Sequence, residues 1–278
     1  MRGARRRQTP RIAASADAPA VVLSPHLDDA VFGCWSVLSG PGDVLVANVF
    51  DGVPPAGGVT LWELITGCTD SADAMRERRR EDAAALAHAG RSAVGLGLLD
   101  QQYRREPPDV SRLEAALAAA VPAASAVYAP AGIGGHADHV LVAALALRLR
   151  ADGIPVRLWA DVPYAVEYGW PHWVTGDARR PRVDPDPMWE RFLHDLPCER
   201  GELVPEPHRL TDAQAAAKLV AMRAYASQFP ALDNAPVGRL SHPHIHRHEV
   251  LWSVAPPAPI PPGGGLRTRA RALARRRA

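Results

Sequence analysis

Short apolar runs alternate with stretches of helical periodicity along most of the chain. The pattern predicts strands over 20–24, 44–50, 93–98, 125–129 and 156–162, and helices over 30–38, 72–89, 111–120, 140–150 and 211–229. Alternation of this kind predicts an α/β protein with a three-layer, Rossmann-like fold, in which helices flank a mostly parallel sheet. Beyond Pro163 the pattern degrades, so we expect an irregular C-terminal portion.

Composition suggests where the folded part begins and ends. Among 278 residues, 47% are hydrophobic, which suffices for one substantial core. We expect a basic, disordered tail over 1–17, a single α/β domain over 18–255, and a Pro/Gly linker with an Arg-rich tail over 256–278. Charge runs are commonly solvated, although such tails also suit a nucleic acid or an acidic partner. The long connection over 51–70 is a candidate functional loop.

Charge and hydropathy narrow the class of protein further. The net charge is +2, and Lys218 is the sole lysine among 32 basic residues. We therefore expect no nucleic-acid partner. Mean hydropathy is −0.13, and no apolar run has the length of a membrane span. Three widely spaced cysteines, an odd number, predict reduced thiols. We therefore expect a cytoplasmic protein, with its oligomeric state left open.

Two short segments bring imidazoles and carboxylates together. Residues 24–29 read Ser-Pro-His-Leu-Asp-Asp and residues 136–139 read His-Ala-Asp-His, each directly after a predicted strand. Ligands of open α/β sheets bind at the carboxyl ends of strands. We expect the two segments to meet there.

Together the two segments can build a three-ligand metal site. A catalytic zinc needs three protein ligands, an open position for water and a neighbouring base. His26 and one of the adjacent carboxylates can ligate while the other carboxylate acts as the base. One of His136 and His139 can complete the set, and the other, as an imidazolium, can stabilise an oxyanion. The alternatives are helix caps and surface histidines.

At these residues the chain resembles the PIG-L/LmbE superfamily of zinc-dependent de-N-acetylases, which act on GlcNAc-phosphatidylinositol and mycothiol precursors. Residues 26–30 match its His-Pro-Asp-Asp-Glu signature as His-Leu-Asp-Asp-Ala, and residues 136–139 match its His-x-x-His motif. Cys34, the Arg-Arg-Arg-Glu-Asp run at 78–82 and Tyr-Ala-Ser-Gln at 225–228 add to the resemblance.

The resemblance implies a role for each motif residue. It implies His26, Asp29 and His139 as ligands of one zinc ion per chain, although other divalent metals also suit such ligands. It implies Asp28 as the general base and His136 as the residue that stabilises the oxyanion and protonates the leaving amine.

Further residues support the site or depart from the family pattern. The resemblance implies that Asp100 supports His136, whereas a turn-capping role is an alternative. Ala30 replaces the usual glutamate, so support of the metal differs here. Some members carry a tyrosine where this chain has Gly134, and Tyr164 is a candidate to replace it.

Two clusters lie outside the motifs. Tyr168, Trp170 and Trp173 are candidates for the wall of a substrate pocket, with packing on the core as the alternative. Histidines alternate over 242–248, at His242, His244, His246 and His248, within a predicted strand over 242–254. On one strand face they suit a second metal site, a pocket wall or a solvated surface.

The resemblance implies a zinc-dependent hydrolase that removes an N-acetyl or other N-acyl group from an amino sugar or a sugar-bearing metabolite. A tailoring deacetylase of natural-product biosynthesis is one form of that activity. Two alternatives are an amidase acting on a thiol conjugate or another non-sugar amide, and a catalytically silent metabolite-binding protein of the same fold.

Overall fold

The computed structural model of the protein describes residues 11–176, 184–234 and 238–256. Its strands are β1 (Ala13–Ala14), β2 (Ala20–Ser24), β3 (Val44–Asn48), β4 (Ala93–Gly95), β5 (Ala123–Ala124), β6 (Val127–Pro130), β7 (Val156–Trp159), β8 (Leu203–Arg209) and β9 (His248–Val254). Its helices are α1 (Asp29–Gly33), α2 (Trp35–Leu38), α3 (Leu61–Ile65), α4 (Ser71–Ala87), α5 (Val110–Ala120), α6 (Ala137–Ala151), α7 (Tyr164–Tyr168), α8 (His172–Thr175), α9 (Asp186–His194), α10 (Asp212–Arg223), α11 (Phe229–Leu232) and α12 (Pro243–His246).

Seven strands form the central sheet in the order β4-β3-β2-β6-β7-β9-β8. The five strands from β4 to β7 are parallel, and β9 runs antiparallel to both β7 and β8. Val21, Val22 and Leu23 of the central strand β2 are fully buried, as expected of a strand covered on both faces. The mostly parallel α/β sheet predicted from the alternation is confirmed.

Chain direction through the sheet creates the crevice for a site. From β2 the chain passes through α1 and α2 to β3 on one side, and from β6 it passes through α6 to β7 on the other. Because such crossovers are right-handed, the two sets of helices cover opposite faces. The strand order therefore reverses between β2 and β6, and ligands bind at such a switch point.

Several elements differ from those predicted. The helix predicted over 30–38 is interrupted at Cys34, where the Glu249 carboxylate accepts hydrogen bonds from the backbone N–H groups of Trp35 and Ser36. Buried Lys218 pairs with Glu249 at 2.7 Å. A carboxylate more than 200 residues away thus starts the second short helix.

The predicted tail and loop also contain ordered elements. Within 1–17, β1 pairs with β5, and Ile12 is buried; residues 1–10 and 257–278, including the Arg-rich runs, lie outside the described residues. The connection over 51–70 contains α3, and β8 was not predicted. All three cysteines are free thiols. In the described part of the chain, no helix combines the length and apolar character needed to cross a bilayer.

Candidate metal centre and active site

The first motif forms a tight turn between β2 and α1. Ser24 Oγ donates to the His26 carbonyl at 2.6 Å and accepts from the Ala30 backbone N–H at 3.0 Å, so it satisfies the start of the helix. Asp29 Oδ2 accepts from the His26 backbone N–H at 2.8 Å. Although Asp28 stands at the N-cap position, its side chain makes no capping bond. Its buried carboxyl is therefore available for chemistry, and the capping alternative is wrong for Asp28.

The second motif begins α6. His136 is the N-cap, and its Nδ1 accepts from the Asp138 backbone N–H at 3.3 Å. His139 lies in the first turn and is fully buried. Gly134, just before the motif, has a φ of +95°, a conformation that favours glycine. The helix start therefore aims His136 and His139 at the end of β2.

The structure brings His26, Asp29 and His139 together. Asp29 Oδ2 lies 3.2 Å from His26 Nδ1 and 3.2 Å from His139 Nε2. Tetrahedral zinc with bonds of about 2.0–2.1 Å separates neighbouring ligand atoms by about 3.3 Å. A nitrogen of His136 also lies within 4.8 Å of nitrogens of His26 and His139. The predicted convergence of the two segments is therefore observed.

Buried carboxylates hold the remaining nitrogens of the two imidazoles. His26 Nε2 lies 3.2 Å from Asp138 Oδ2, and His139 Nδ1 lies 2.6 Å from Asp161 Oδ1. Asp161 also accepts from the Ile133 backbone N–H at 2.9 Å. Such carboxylate–histidine pairs fix the ring orientation and tautomer of metal-ligating histidines. They leave His26 Nδ1 and His139 Nε2 facing Asp29.

The donor set fits a divalent cation. His139 Nε2 is buried and has no hydrogen-bond partner among the described residues, although Asp29 Oδ2 lies nearby. Five carboxyl groups surround the two imidazoles, those of Asp28, Asp29, Asp100, Asp138 and Asp161. Burial alone would lower the pKa of His139, but Asp29 and Asp161 raise it to about 9. A proton on the imidazole supplies part of the positive charge that a metal ion would provide.

Asp28 and Asp29 titrate differently although they are adjacent. Burial, followed by the charge of Asp29, raises the pKa of Asp28 to about 6, and Arg78 limits the rise. Burial also acts on Asp29, but the charge of His139 and the close approach of both imidazoles hold its pKa well below the usual range. The carboxyl with the raised pKa is suited to general base catalysis near neutral pH, and its neighbour stays ionised as a ligand must.

His136 differs from the expectation that it acts as an imidazolium. Burial, with the like charges of His26 and His139, lowers the pKa of His136 to about 4. Its Nδ1 accepts a hydrogen bond from the Asp138 backbone N–H, and its Nε2 lies 2.8 Å from the amide nitrogen of Gln101. His136 is thus a neutral imidazole whose two ring nitrogens both face N–H groups.

Asp100 does not support His136 as predicted. Its Oδ2 lies 3.7 Å from His26 Nε2, and both of its carboxylate oxygens accept hydrogen bonds from Gln102. Asp100 instead caps the turn Gln101–Tyr103, which is the alternative role given above. Gln101 takes the place beside His136.

Tyr164 occupies the space above Gly134. A Cβ atom at position 134 would lie 2.5 Å from Tyr164 Cβ. The tyrosine ring lies 5.6 Å from the ring of His136 and 5.3 Å from that of His139, between centroids. Tyr164 therefore enters the site from α7, at the place that a side chain at 134 would need.

A cavity of about 520 Å³ opens over these groups. Its floor includes His26, Asp28, Asp29, Asp100 and His136; its walls include Trp62, Arg78, Tyr164, Val166, Gln228 and Leu240. The volume lies in the range of small-molecule sites. Arg78 is buried and lines the cavity, and its Nε has no hydrogen-bond partner among the described residues. The guanidinium can therefore donate a hydrogen bond to an oxygen atom of a ligand.

The predicted aromatic pocket wall is wrong. Tyr168, Trp170 and Trp173 do not line the cavity in the described part of the chain. Trp170 and Trp173 pack around Trp189, with ring centroids 5.6 and 6.4 Å away, and Tyr168 packs on Phe192. These side chains anchor α7–α9 to the protein, which is the packing alternative.

The alternating histidines do not share a strand face. Pro243 begins α12, and His242 accepts from the His244 backbone N–H as its cap, so only His248 belongs to β9. Proline at the first helical position favours a helix over the strand that the alternation predicted. The ring centroids of His244 and His248 are 5.5 Å apart, but these residues form no candidate metal group among those described.

Several residues of the site were not predicted. Asp161 carries no motif and follows β7 by two residues; its position at a strand end is the one local signal. Arg104 ion-pairs with Asp138 and lies over the Phe50 ring at 4.7 Å. Trp62 and Gln228 reach the cavity from distant segments. Such long-range contacts leave no periodic pattern.

Comparisons with known proteins find deacetylases that resemble this chain. No family model matches the chain. A 2'-N-acetylparomamine deacetylase from Streptomyces fradiae is 28% identical over 166 residues, which are 52% of this chain and 57% of that protein. A triple-mutant deacetylase of the teicoplanin biosynthetic pathway is 25% identical, with a TM-score of 0.66 and coverage of 87% of this chain and 100% of that one. The chain thus resembles these deacetylases in sequence and in fold.

A second deacetylase also has a similar structure. The A40926 pseudoaglycone deacetylase is 26% identical and has a TM-score of 0.62, with 91% of this chain and 100% of that one covered. The alignment with the curated relative spans little more than half of that protein. The similarity in fold extends over most of this chain. The positions of the motif residues at the switch point follow from the strand order.

Proposed function

We propose that this protein is a metal-dependent hydrolase that removes the N-acetyl, or another N-acyl, group from an amino sugar or a sugar-bearing metabolite. One observation carries the proposal: His26 and His139 approach the same oxygen of Asp29, at 3.2 Å each, and Asp28, which makes no capping bond, lines the cavity beside them. The relatives named as deacetylases support the same chemistry.

Zinc is the metal that we propose, at one ion per chain, with His26, Asp29 and His139 as its ligands. Two imidazoles and one carboxylate form a ligand set found in catalytic zinc sites. When bound, zinc polarises an acyl carbonyl and lowers the pKa of a water molecule. Asp138 and Asp161 hold the imidazoles in the required tautomers.

Asp28 is proposed as the general base. Its pKa of about 6 leaves it ionised near neutral pH, while its proton affinity remains sufficient to take a proton from water. The oxygen of that water adds to the carbonyl carbon, and the C–N bond then breaks. The proton held on the Asp28 carboxyl goes to the departing nitrogen, so the products are a carboxylic acid and a free amine.

His136 and Tyr164 are proposed to stabilise the oxyanion. Because Nδ1 of His136 accepts a backbone hydrogen bond, the proposal places the proton of the neutral ring on Nε2, which would donate to the oxyanion in place of its contact with Gln101. Tyr164 lines the same cavity with its ring against those of His136 and His139. Donors that are already in position cost little reorganisation when negative charge develops. Arg78 is proposed to donate a hydrogen bond to a hydroxyl oxygen of the bound sugar.

Metal content and acetate release test the proposal. Purified protein is analysed for zinc and then incubated with a panel of N-acetylated amino sugars, together with the Asp28→Asn variant. An Asp43→Asn variant, altered at an exposed carboxylate, is the matched control. We expect acetate from wild type and from the control, and a metal-loaded but inactive Asp28→Asn. A metal-loaded wild type that releases no acyl group from sugar or non-sugar amides would instead indicate a silent binding protein.

A further inference from the structure

Helix α3 carries exposed aliphatic side chains next to the cavity. Leu61, Leu64 and Ile65 are 75%, 60% and 60% exposed, whereas Trp62 of the same helix lines the cavity. Single exposed aliphatic residues are ordinary, but three on one short helix form a patch. We call Leu61, Leu64 and Ile65 the apolar rim.

The apolar rim is held outward by a buried carboxylate. Glu63 is 2% exposed and accepts hydrogen bonds from the Thr60 backbone N–H, Ser71 Oγ and the Tyr103 hydroxyl. Thr60 and Glu63 also form a capping box at the start of the helix. A helix of this composition would ordinarily bury its leucines. The polar contacts of Glu63 fix the opposite orientation.

The apolar rim and one wall residue of the cavity share helix α3. The indole N–H of Trp62 donates to Gln228 Oε1 at 2.5 Å, and both side chains line the cavity. Thr60 Oγ1 donates to Gln102 Oε1 at 2.7 Å, and Gln102 lines the cavity too. The helix therefore forms one side of the mouth, and a ligand that fills the cavity and extends outward passes the rim.

We propose that the apolar rim binds the apolar aglycone of a substrate whose N-acylated sugar occupies the cavity. This inference rests on the proposed function, since it assumes that the sugar lies among the carboxylates, imidazoles and Arg78 of the cavity. The two regions differ in chemistry as the two parts of such a glycoconjugate do. A fully polar amino sugar would leave the rim uncovered.

Matched glycosides test the rim through binding. Zinc-loaded Asp28→Asn protein, which holds substrate without turnover, is titrated with methyl and octyl glycosides of N-acetylglucosamine below micellar concentrations. A triple variant, Leu61→Ser, Leu64→Ser and Ile65→Ser, is compared with a Val204→Ser, Val220→Ser control at residues that are 54% and 50% exposed. We expect the octyl glycoside to bind roughly 10- to 100-fold more tightly than the methyl glycoside, except in the triple variant.

The outcomes separate the rim from the hydrolytic activity. Equal affinity of the two glycosides, or an equal loss of preference in the valine control, would overturn the rim inference. So would a wild-type dimer that the triple variant dissociates while the octyl preference persists, because the rim would then join two copies of the chain. Tighter octyl binding, with no acetate released from either glycoside by active-site-intact protein, would support the rim and overturn the proposed reaction.

Discussion

Changing the pH at which zinc is added perturbs the site directly, because the metal must displace protons from its proposed ligands. In the metal-free protein, burial opposes charge on His139, but Asp29 and Asp161 raise its pKa to about 9. Protonation of a ligand with that pKa weakens metal binding, relative to the neutral ligand, about 1,000-fold at pH 6 and about 10-fold at pH 8. Affinity should therefore rise about 100-fold between pH 6 and pH 8. The pKa of His26 is raised too, which makes the rise steeper.

Competition with a chromogenic chelator measures the affinity at each pH. Calorimetry in two buffers of different ionisation enthalpy counts the protons that are released. Asp161→Asn removes the negative charge beside His139 Nδ1, so the pKa of His139 should fall and the slope should flatten. The variant should also bind zinc roughly 10- to 100-fold more weakly at pH 8. Asp43→Asn, at an exposed position, should change neither quantity.

Zinc affinity that stays constant between pH 6 and pH 8, without proton release, would refute this reasoning. It would mean that His139 is neutral at pH 6 and that Asp29 and Asp161 do not raise its pKa. An unchanged slope of zinc affinity against pH in Asp161→Asn would show only that Asp161 does not raise the pKa of His139.

Three further predictions concern the other groups of the site. Asp28→Asn should retain zinc and lose roughly 10²–10⁴-fold in kcat, while wild-type kcat/KM rises with pH through about 6, both followed by acetate release. Tyr164→Phe should lose roughly 10²–10³-fold in kcat with little change in KM, and an unchanged kcat would exclude its hydroxyl from oxyanion stabilisation. Burial raises the pKa of Asp82 to about 7 against hydrogen bonds from Tyr225 and Asn48. Because this folded pKa exceeds the unfolded value of 3.8, the stability from Asp82 is complete below 3.8 and is lost as pH rises through 7. Chemical denaturation should therefore show the Asp82→Asn variant gaining about 3 kcal/mol relative to wild type between pH 5 and pH 9, and a constant difference would contradict the raised pKa.

Sequence patterns predicted the parts of the site that depend on local order. β2 with the turn at His26, and β6 with the turn at His136, follow from apolar runs that end in polar motifs. Parallel strands place such ends at one edge of the sheet, so the convergence at Asp29 could be predicted. The resemblance to a superfamily added the division of roles between neighbouring carboxylates, which spacing alone left open.

Long-range contacts explain what was not predicted. The break at Cys34 depends on Glu249, and the tautomer of His139 depends on Asp161, neither of which lies in a motif. The histidine alternation over 242–248 has the period of a strand, but Pro243 favours the start of a helix, and the helix forms. Clusters of aromatic residues likewise do not reveal whether they face a cavity or a core, and Trp170 faces the core.

The elements that carry the chemistry are separate from those that form the mouth of the cavity. Residues that would hold the metal and move the proton follow β2, β6 and β7, where the sheet fixes their positions. The apolar rim belongs to α3, inside the long connection between β3 and α4. Changes in such a connection alter the surface that a substrate meets without moving the ligands. Proteins with this sheet can therefore share one reaction and differ in the molecule that carries the acylated amine.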